Sequence, residues 1–175
     1  MPAPKYDRVA VFLHWAIGLA ILLQFALGWW MLDLPKGPDG VRAWWFNLHK
    51  SIGITLAAVV VLRLLWRKTH RPPALPGDLP PWQRFAAAFS HAGLYACMLV
   101  LPLSGYLGSS FSGYPVKLFG VPLWSWSGAW PAGKNLASAV HETAAWTLAA
   151  LLAFHVGGAL WHALRRDGIL RRMWI

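Results

Sequence analysis

Acidic residues and cysteine are both scarce in this chain. Six Asp and Glu stand against sixteen Lys and Arg among 175 residues, and Cys97 is the single cysteine. One cysteine cannot build a disulfide framework, and no CxxCH motif is present to attach a c-type haem. The thiolate set that holds an iron–sulfur cluster is missing as well. Disulfide-stabilised, cluster-containing and c-type proteins are therefore excluded.

Long polar stretches are also missing. The chain is 57% hydrophobic and has thirteen Trp, which is more apolar than a soluble domain of this size. Four apolar segments are long enough, at about 1.5 Å per residue, to cross a hydrocarbon layer of about 30 Å. They are residues 9–32, 48–66, 85–111 and 137–164. The sequence predicts an all-α membrane protein, a four-transmembrane-helix bundle formed by one domain over residues 1–175.

Basic residues are unevenly divided between the two ends of this bundle. Eleven lie at the end that carries both termini and the connection 68–83, which we name the basic end, and five lie at the other end. We name the other end the cap end, because residues 112–134 are expected to fold over it. The positive-inside rule places both termini in the cytoplasm of a multi-pass inner-membrane protein. Topology and anionic lipids account for the net charge of +10 without nucleic acid.

Histidines occur at two depths in the predicted bundle. His141 and His155 are fourteen residues apart in one segment, a rise of about 21 Å and a return to within about 40° of the same direction. His14 matches His155 in depth near the basic end, and His49 matches His141 near the cap end. Each pair joins two helices, as axial ligation of a flat macrocycle requires. This pattern predicts two stacked haems.

The same residues restrict the type of haem and its chemistry. Without CxxCH the haem must be b-type, and two histidines on each iron leave no open position for oxygen, which favours electron transfer. A zinc or copper site is the alternative, but it would gather its ligands at one point with thiolate or carboxylate help. His91 and His162 remain competitors for the basic-end site, whereas His70 lies in a polar loop and is expected to be solvated.

Several short motifs carry a resemblance to a known family. They are Tyr6-x-Arg8 before Leu13-His14-Trp15, Asn47-Leu48-His49, Leu101-Pro102-Leu103-x-Gly105, and His141-Glu142-Thr143 followed by His155. Across nearly its whole length the chain resembles the bacterial cytochrome b561 family, particularly its short stand-alone members that act as superoxide oxidases. The resemblance implies that His14 and His155 ligate the basic-end haem, and that His49 and His141 ligate the cap-end haem. Depth matching gives the same pairs.

The resemblance also implies an activity. Superoxide would deliver electrons at the periplasmic side, and two haem b groups would pass them to ubiquinone. Lys117, Lys134 and Glu142 are the candidate catalytic residues at the cap end, where an excess of positive charge favours the approach of an anion. Lys50 has an alternative role, which stays open, as the partner of a haem propionate.

A quinone site needs hydrogen-bond donors and a proton source near a lipid-accessible cleft. The polar candidates for it at the basic end are Ser90, His91, His162 and Arg165.

Two other functions remain open. One is a cytochrome b electron-transfer subunit docked to a hydrogenase or dehydrogenase; the short loops favour a protein that works alone, and a protein partner is not required. The other is a four-helix transporter with structural histidines. A purified red protein with sharp α and β absorption bands would exclude the transporter.

The predicted topology can be tested with reporter fusions. Alkaline phosphatase is active only outside the cytoplasm, so we expect activity when it is fused after Pro131 and none when it is fused after Ile175. The opposite pattern would contradict the orientation and would reverse the proposed electron route.

Overall fold

The computed structural model describes residues 5–38, 40–74 and 79–174, and this part of the chain contains four long helices. They are α1 (Arg8–Trp30), α2 (Val41–Thr69), α3 (Pro81–Ser110) and α4 (Pro131–Arg165). All four are long and apolar enough to cross a membrane, which confirms the predicted four-span bundle. Short 3₁₀ helices lie at Met31–Asp33 and Leu170–Met173, and strands β1 (Lys117–Leu118) and β2 (Val121–Pro122) pair antiparallel.

Helices α2, α3 and α4 are longer than the apolar segments, because a helix can continue into the headgroup region, whereas α1 ends at Trp30, two residues before its segment does. Pro81 and Pro131 begin α3 and α4, a position where the missing N–H of proline is not needed. Asp7 caps α1 by accepting a hydrogen bond from Ala10 N at 2.9 Å, and it accepts another from Trp66 Nε1 at 3.0 Å. The slight desolvation of this exposed residue favours the protonated carboxyl, but these hydrogen bonds outweigh it and lower the pKa of Asp7.

Helix packing is uneven around the bundle. α4 packs extensively along α3, α1 packs on α2, and α2 packs on α3. Gly93 permits the close approach of α3 and α4, because a Cβ there would lie 2.7 Å from Leu151 Cδ1. A small buried core joins the helices, and most other large apolar side chains face outward, as lipid contact requires. The core residues are Ile17, Ile21, Val60, Leu94, Cys97 and Leu148.

The segment between α3 and α4 folds as the predicted cap. Its hairpin lies against the start of α2, where the Phe119 N–H donates to Ser51 Oγ at 2.9 Å. Ser51 is buried and donates in turn to Asn47 O at 2.8 Å. Trp130 N donates to Phe111 O at 2.9 Å and closes the base of the cap. The cap is thereby fixed to both α2 and α3.

The C-terminal 3₁₀ helix ties the basic end together. Arg172 is buried, and its guanidinium donates to the carbonyls of Pro73 at 2.8 Å and Ala74 at 2.9 Å in the α2–α3 connection. Trp15 Nε1 donates to Met173 O at 2.9 Å, which connects the same segment to α1. The residue beside His14 is therefore held by the C-terminal segment.

Candidate functional site

Two pairs of imidazoles face each other across the bundle. At the cap end His49 on α2 faces His141 on α4, with ring centres 6.4 Å apart and ring planes at 71°. At the basic end His14 on α1 faces His155 on α4, at 5.9 Å and 70°. The structure thus brings together the residues that depth matching pairs.

The spacing of each pair suits a shared metal. An imidazole nitrogen lies about 2 Å from a first-row metal and its ring centre about 1 Å further back, so two axial imidazoles have centres about 6 Å apart. Both pairs have this separation. His91 is also packed against His155, but at 5.2 Å between ring centres and 62° between ring planes it is closer than such a pair. His91 therefore joins the basic-end group as a neighbour of the pair.

His141 has its ring orientation set by α3. Its Nδ1 lies 2.9 Å from Leu101 O, and because a carbonyl only accepts, Nδ1 carries the proton. The Nε2 lone pair is then available to a metal, as is usual when a carbonyl fixes the tautomer of a ligating histidine. Gly105 makes room for the ring, since a Cβ there would lie 3.1 Å from His141 Cε1. These contacts account for Gly105 in the Leu101-to-Gly105 motif.

His49 has an incomplete hydrogen-bond set. Among the described residues, its Nδ1 and the Oε1 of Gln24 are buried polar atoms without a hydrogen-bond partner. Gln24 Nε2 donates to the backbone carbonyl of His49 at 2.9 Å, so the Gln24 side chain lies against this residue. Gly28 also lies beside the ring, and a Cβ there would be 3.4 Å from His49 Cε1. Because buried polar atoms nearly always have partners, these two mark a polar position beside the cap-end pair.

A cavity of about 460 Å³ opens around the cap-end pair. Its lining is mostly apolar and comes from all four helices; Lys50 and Glu142 are the charged residues among the described ones that line it. Lys50 Nζ donates to Ser109 Oγ at 3.1 Å. An apolar cavity with a few polar groups is typical of cofactor sites, and opposed imidazoles within it fit an apolar, flat, metal-containing group such as haem.

The three candidate catalytic residues lie in different places. Glu142 is exposed, follows His141 and lines the cavity. Lys117 is in the hairpin and is half-buried, whereas Lys134 is exposed in the first turn of α4. Neither lysine lines the cavity. The structure therefore puts Glu142 beside the histidine pair and both lysines outside the cavity lining. The catalytic role of all three residues stays a prediction.

The basic-end candidates are also separated. His91 lies against His155, and the preceding Ser90 is buried, with its hydroxyl 3.3 Å from Ala87 O. The guanidinium of Arg165 lies over the Trp161 ring at 4.5 Å. His91 therefore lies beside the histidine pair, and Ser90 is its buried neighbour in α3.

His162 has a partner that sequence reasoning missed. Its Nδ1 is 2.5 Å from Asp167 Oδ2. Partial burial favours the protonated carboxyl of Asp167, but the hydrogen bond to His162 outweighs it, so the pKa of Asp167 is lowered. His162 is thus part of a His–Asp pair near the end of α4.

Two further findings concern the histidines. Over residues 5–38, 40–74 and 79–174, no group of three or more His, Cys, Asp or Glu side chains is arranged to hold a bare metal ion. His70, expected to be solvated, is exposed and stacks on Trp66 with ring centres 3.8 Å apart.

Comparison with known proteins gives consistent matches. The family model described as prokaryotic cytochrome b561 matches residues 5–175. The chain is similar to "Cytochrome b561 homolog 2" of Escherichia coli (strain K12), with 34% identity over 97% of this chain and 90% of that protein. It is also similar to "Cytochrome b561 homolog 1" of the same organism, with 28% identity over 97% of this chain and 96% of that protein.

The role of Gly105 can be tested by adding a methyl group. We expect Gly105→Ala to displace the His141 ring from Leu101 O and to lower haem binding at the cap end. Gly18→Ala in α1 is the control, since a Cβ at Gly18 meets no atom within 4 Å. Helix propensity favours alanine by about 1 kcal/mol at either position, so it cannot cause a loss. Pyridine haemochrome assay measures the binding; equal haem content in both variants would contradict the expectation.

Proposed function

This chain belongs to the prokaryotic cytochrome b561 family, and on that premise we propose that it is a superoxide:ubiquinone oxidoreductase of the bacterial cytoplasmic membrane with two b haems. Membership makes it a multi-pass membrane electron-transfer protein and implies that it binds haem b. Our proposal adds four points: the number of haems, the electron donor, the electron acceptor and the orientation of the protein in the membrane.

The two histidine pairs are the observation that supports it most. His49 with His141, and His14 with His155, have the ring spacing of axial ligands at two depths of α4. When bound, each haem supplies one-electron transfer without an open coordination position for oxygen. The chain itself fixes the ligand tautomer at His141 and keeps the cap-end cavity mostly apolar.

The donor side is the cap end in this proposal. Each superoxide gives up one electron and leaves as dioxygen, so two superoxide ions and two protons convert one ubiquinone to ubiquinol. Lys117 and Lys134 attract the anion, and Glu142 sits where the cavity meets His141. Lys50 lines the same cavity and is also suited to pair with a haem propionate.

The acceptor side is the basic end. His91 lies against His155 of the basic-end pair, where a quinone would receive electrons, and the buried Ser90 precedes it in α3. His162, paired with Asp167 near the end of α4, is suited to hold a proton for the reduced quinone. Arg165 is the remaining candidate donor to a quinone carbonyl.

The alternative is an electron-transfer subunit of a hydrogenase or dehydrogenase. The observation that favours it is the set of exposed aromatic side chains on the cap, which offers a surface to a protein partner. They are Tyr114, Phe119, Trp124, Trp126 and Trp130. Failure of superoxide to reduce the bound haem would support this alternative.

The haem count tests the ligand assignment. We expect about two non-covalent haems per chain by pyridine haemochrome assay, because each histidine pair is suited to one. His141→Ala should remove the cap-end haem and leave the other, whereas His155→Ala should do the reverse. A wild-type value near one would show that one pair is wrongly assigned.

The rate at which superoxide reduces the haem tests whether superoxide is the electron donor. Coulomb attraction is screened over about 8 Å at physiological ionic strength, so the rate of haem reduction by superoxide should fall as salt rises. Lys117→Glu and Lys134→Glu should slow it further without changing the haem spectrum. The control is Arg171→Glu, an exposed charge reversal at the basic end. A rate insensitive to salt and to both lysine substitutions would rule out steering.

A further inference from the structure

An arginine is held between the helices near the basic-end histidines. Arg63, on α2, is half-buried. Its Nε donates to Tyr95 OH at 2.9 Å and its Nη1 donates to Ala10 O at 2.9 Å. Both contacts cross to other helices, α3 and α1 respectively, so the guanidinium has a fixed position inside the bundle.

That position is close to the basic-end group. Ala10 precedes His14 by four residues on α1, and Tyr95 follows His91 by four residues on α3. Residues four apart share a helix face and are separated by about 6 Å along it. Arg63 also interacts electrostatically with His14, His91 and His155.

The charge of Arg63 is not balanced by a carboxylate. Its two acceptors, a phenol and a peptide carbonyl, are neutral, and arginine stays protonated in proteins. In the described part of the chain the one ion pair joins His162 and Asp167. A half-buried, unbalanced cation is costly in an apolar bundle and indicates a functional role.

The cap end differs in its charge. Lys50 and Glu142 both line the cavity around His49 and His141. Their formal charges are opposite, so they sum to zero. The basic-end pair thus lies beside a cation that no carboxylate balances, whereas at the cap end a carboxylate lines the same cavity as the cation.

We infer that Arg63 raises the reduction potential of the basic-end haem above that of the cap-end haem and so directs electrons towards the basic end. The oxidised haem carries one more positive charge than the reduced haem, so a fixed cation nearby disfavours oxidation. Electrons that enter at the cap end then collect beside His91, where the proposed quinone site lies. This inference rests on the two-haem assignment made under the proposed function.

Potentiometric titration of the purified two-haem protein, followed by visible absorbance, tests the inference. His14→Ala and His141→Ala, each expected to leave one haem, assign the two midpoint potentials. Arg63→Gln removes the charge and keeps a hydrogen-bonding side chain. We expect Arg63→Gln to raise the oxidised-to-reduced ratio of the basic-end haem at least tenfold at a given potential. For one electron this corresponds to a midpoint potential lower by about 59 mV. The cap-end midpoint potential should stay in place.

Matched variants separate charge from packing. Tyr95→Phe removes a neutral partner of Arg63 but keeps the charge, and Arg63→Lys keeps the charge on another side chain. Both should stay within a threefold change of the wild-type ratio. A fall in Tyr95→Phe equal to that in Arg63→Gln would overturn the inference, because hydrogen bonding would then set the potential.

A second site tests the same field effect independently. Glu142→Gln removes the negative charge at the cap end and should raise the cap-end midpoint, which narrows the difference between the haems. The inference would be overturned if the basic-end midpoint stayed in place in Arg63→Gln and the cap-end midpoint stayed in place in Glu142→Gln. Loss of the basic-end haem from Arg63→Gln would also overturn it, because Arg63 would then serve to hold the haem. A wild-type protein with fewer than two haems would instead refute the proposed function.

Discussion

The structure depends on one constraint: inside an apolar bundle, each polar group needs a partner within the protein. The hydroxyls of Ser51, Ser90 and Ser104 meet it with carbonyls of their own helix. His141 meets it across helices, at Leu101 O. Within residues 5–38, 40–74 and 79–174, two buried side-chain atoms do not meet it, His49 Nδ1 and Gln24 Oε1, and both residues line the cap-end cavity. These two buried polar atoms that have no partner therefore lie at the candidate site.

The features that the sequence predicted are those fixed by helical geometry along one axis. Rise per residue sets depth, so the pairing of His14 with His155 and of His49 with His141 could be obtained from residue numbers alone. The four spans could be predicted for the same reason, because their length must match the membrane. The start of α2 at Val41 could not be predicted, since a helix does not have to end where its apolar run ends.

The features that the sequence did not predict depend on how each helix is rotated about its axis. A lipid-facing side chain is as apolar as a core side chain, so hydrophobic periodicity does not show which face turns inward. The contact of His91 with His155 and the bonds of Arg63 to Tyr95 and Ala10 follow from that rotation. The sequence gives one indication of the role of Arg63, because it is a charged residue within an apolar segment. The positive-inside rule, however, relates this charge only to the orientation of the helices.

The uneven packing of α4 has a consequence for assembly. This helix is packed extensively on α3, yet the histidines opposite its own belong to α1 and α2. One long seam of the bundle is therefore closed by side chains that reach across it, such as Trp29 with Trp146, rather than by helix packing. A group ligated on both sides of this seam acts as a cross-link between two helical hairpins. If the histidine pairs are ligands, loading of the cofactor would help to hold the two hairpins together, in addition to the small core and the packing of α2 on α3.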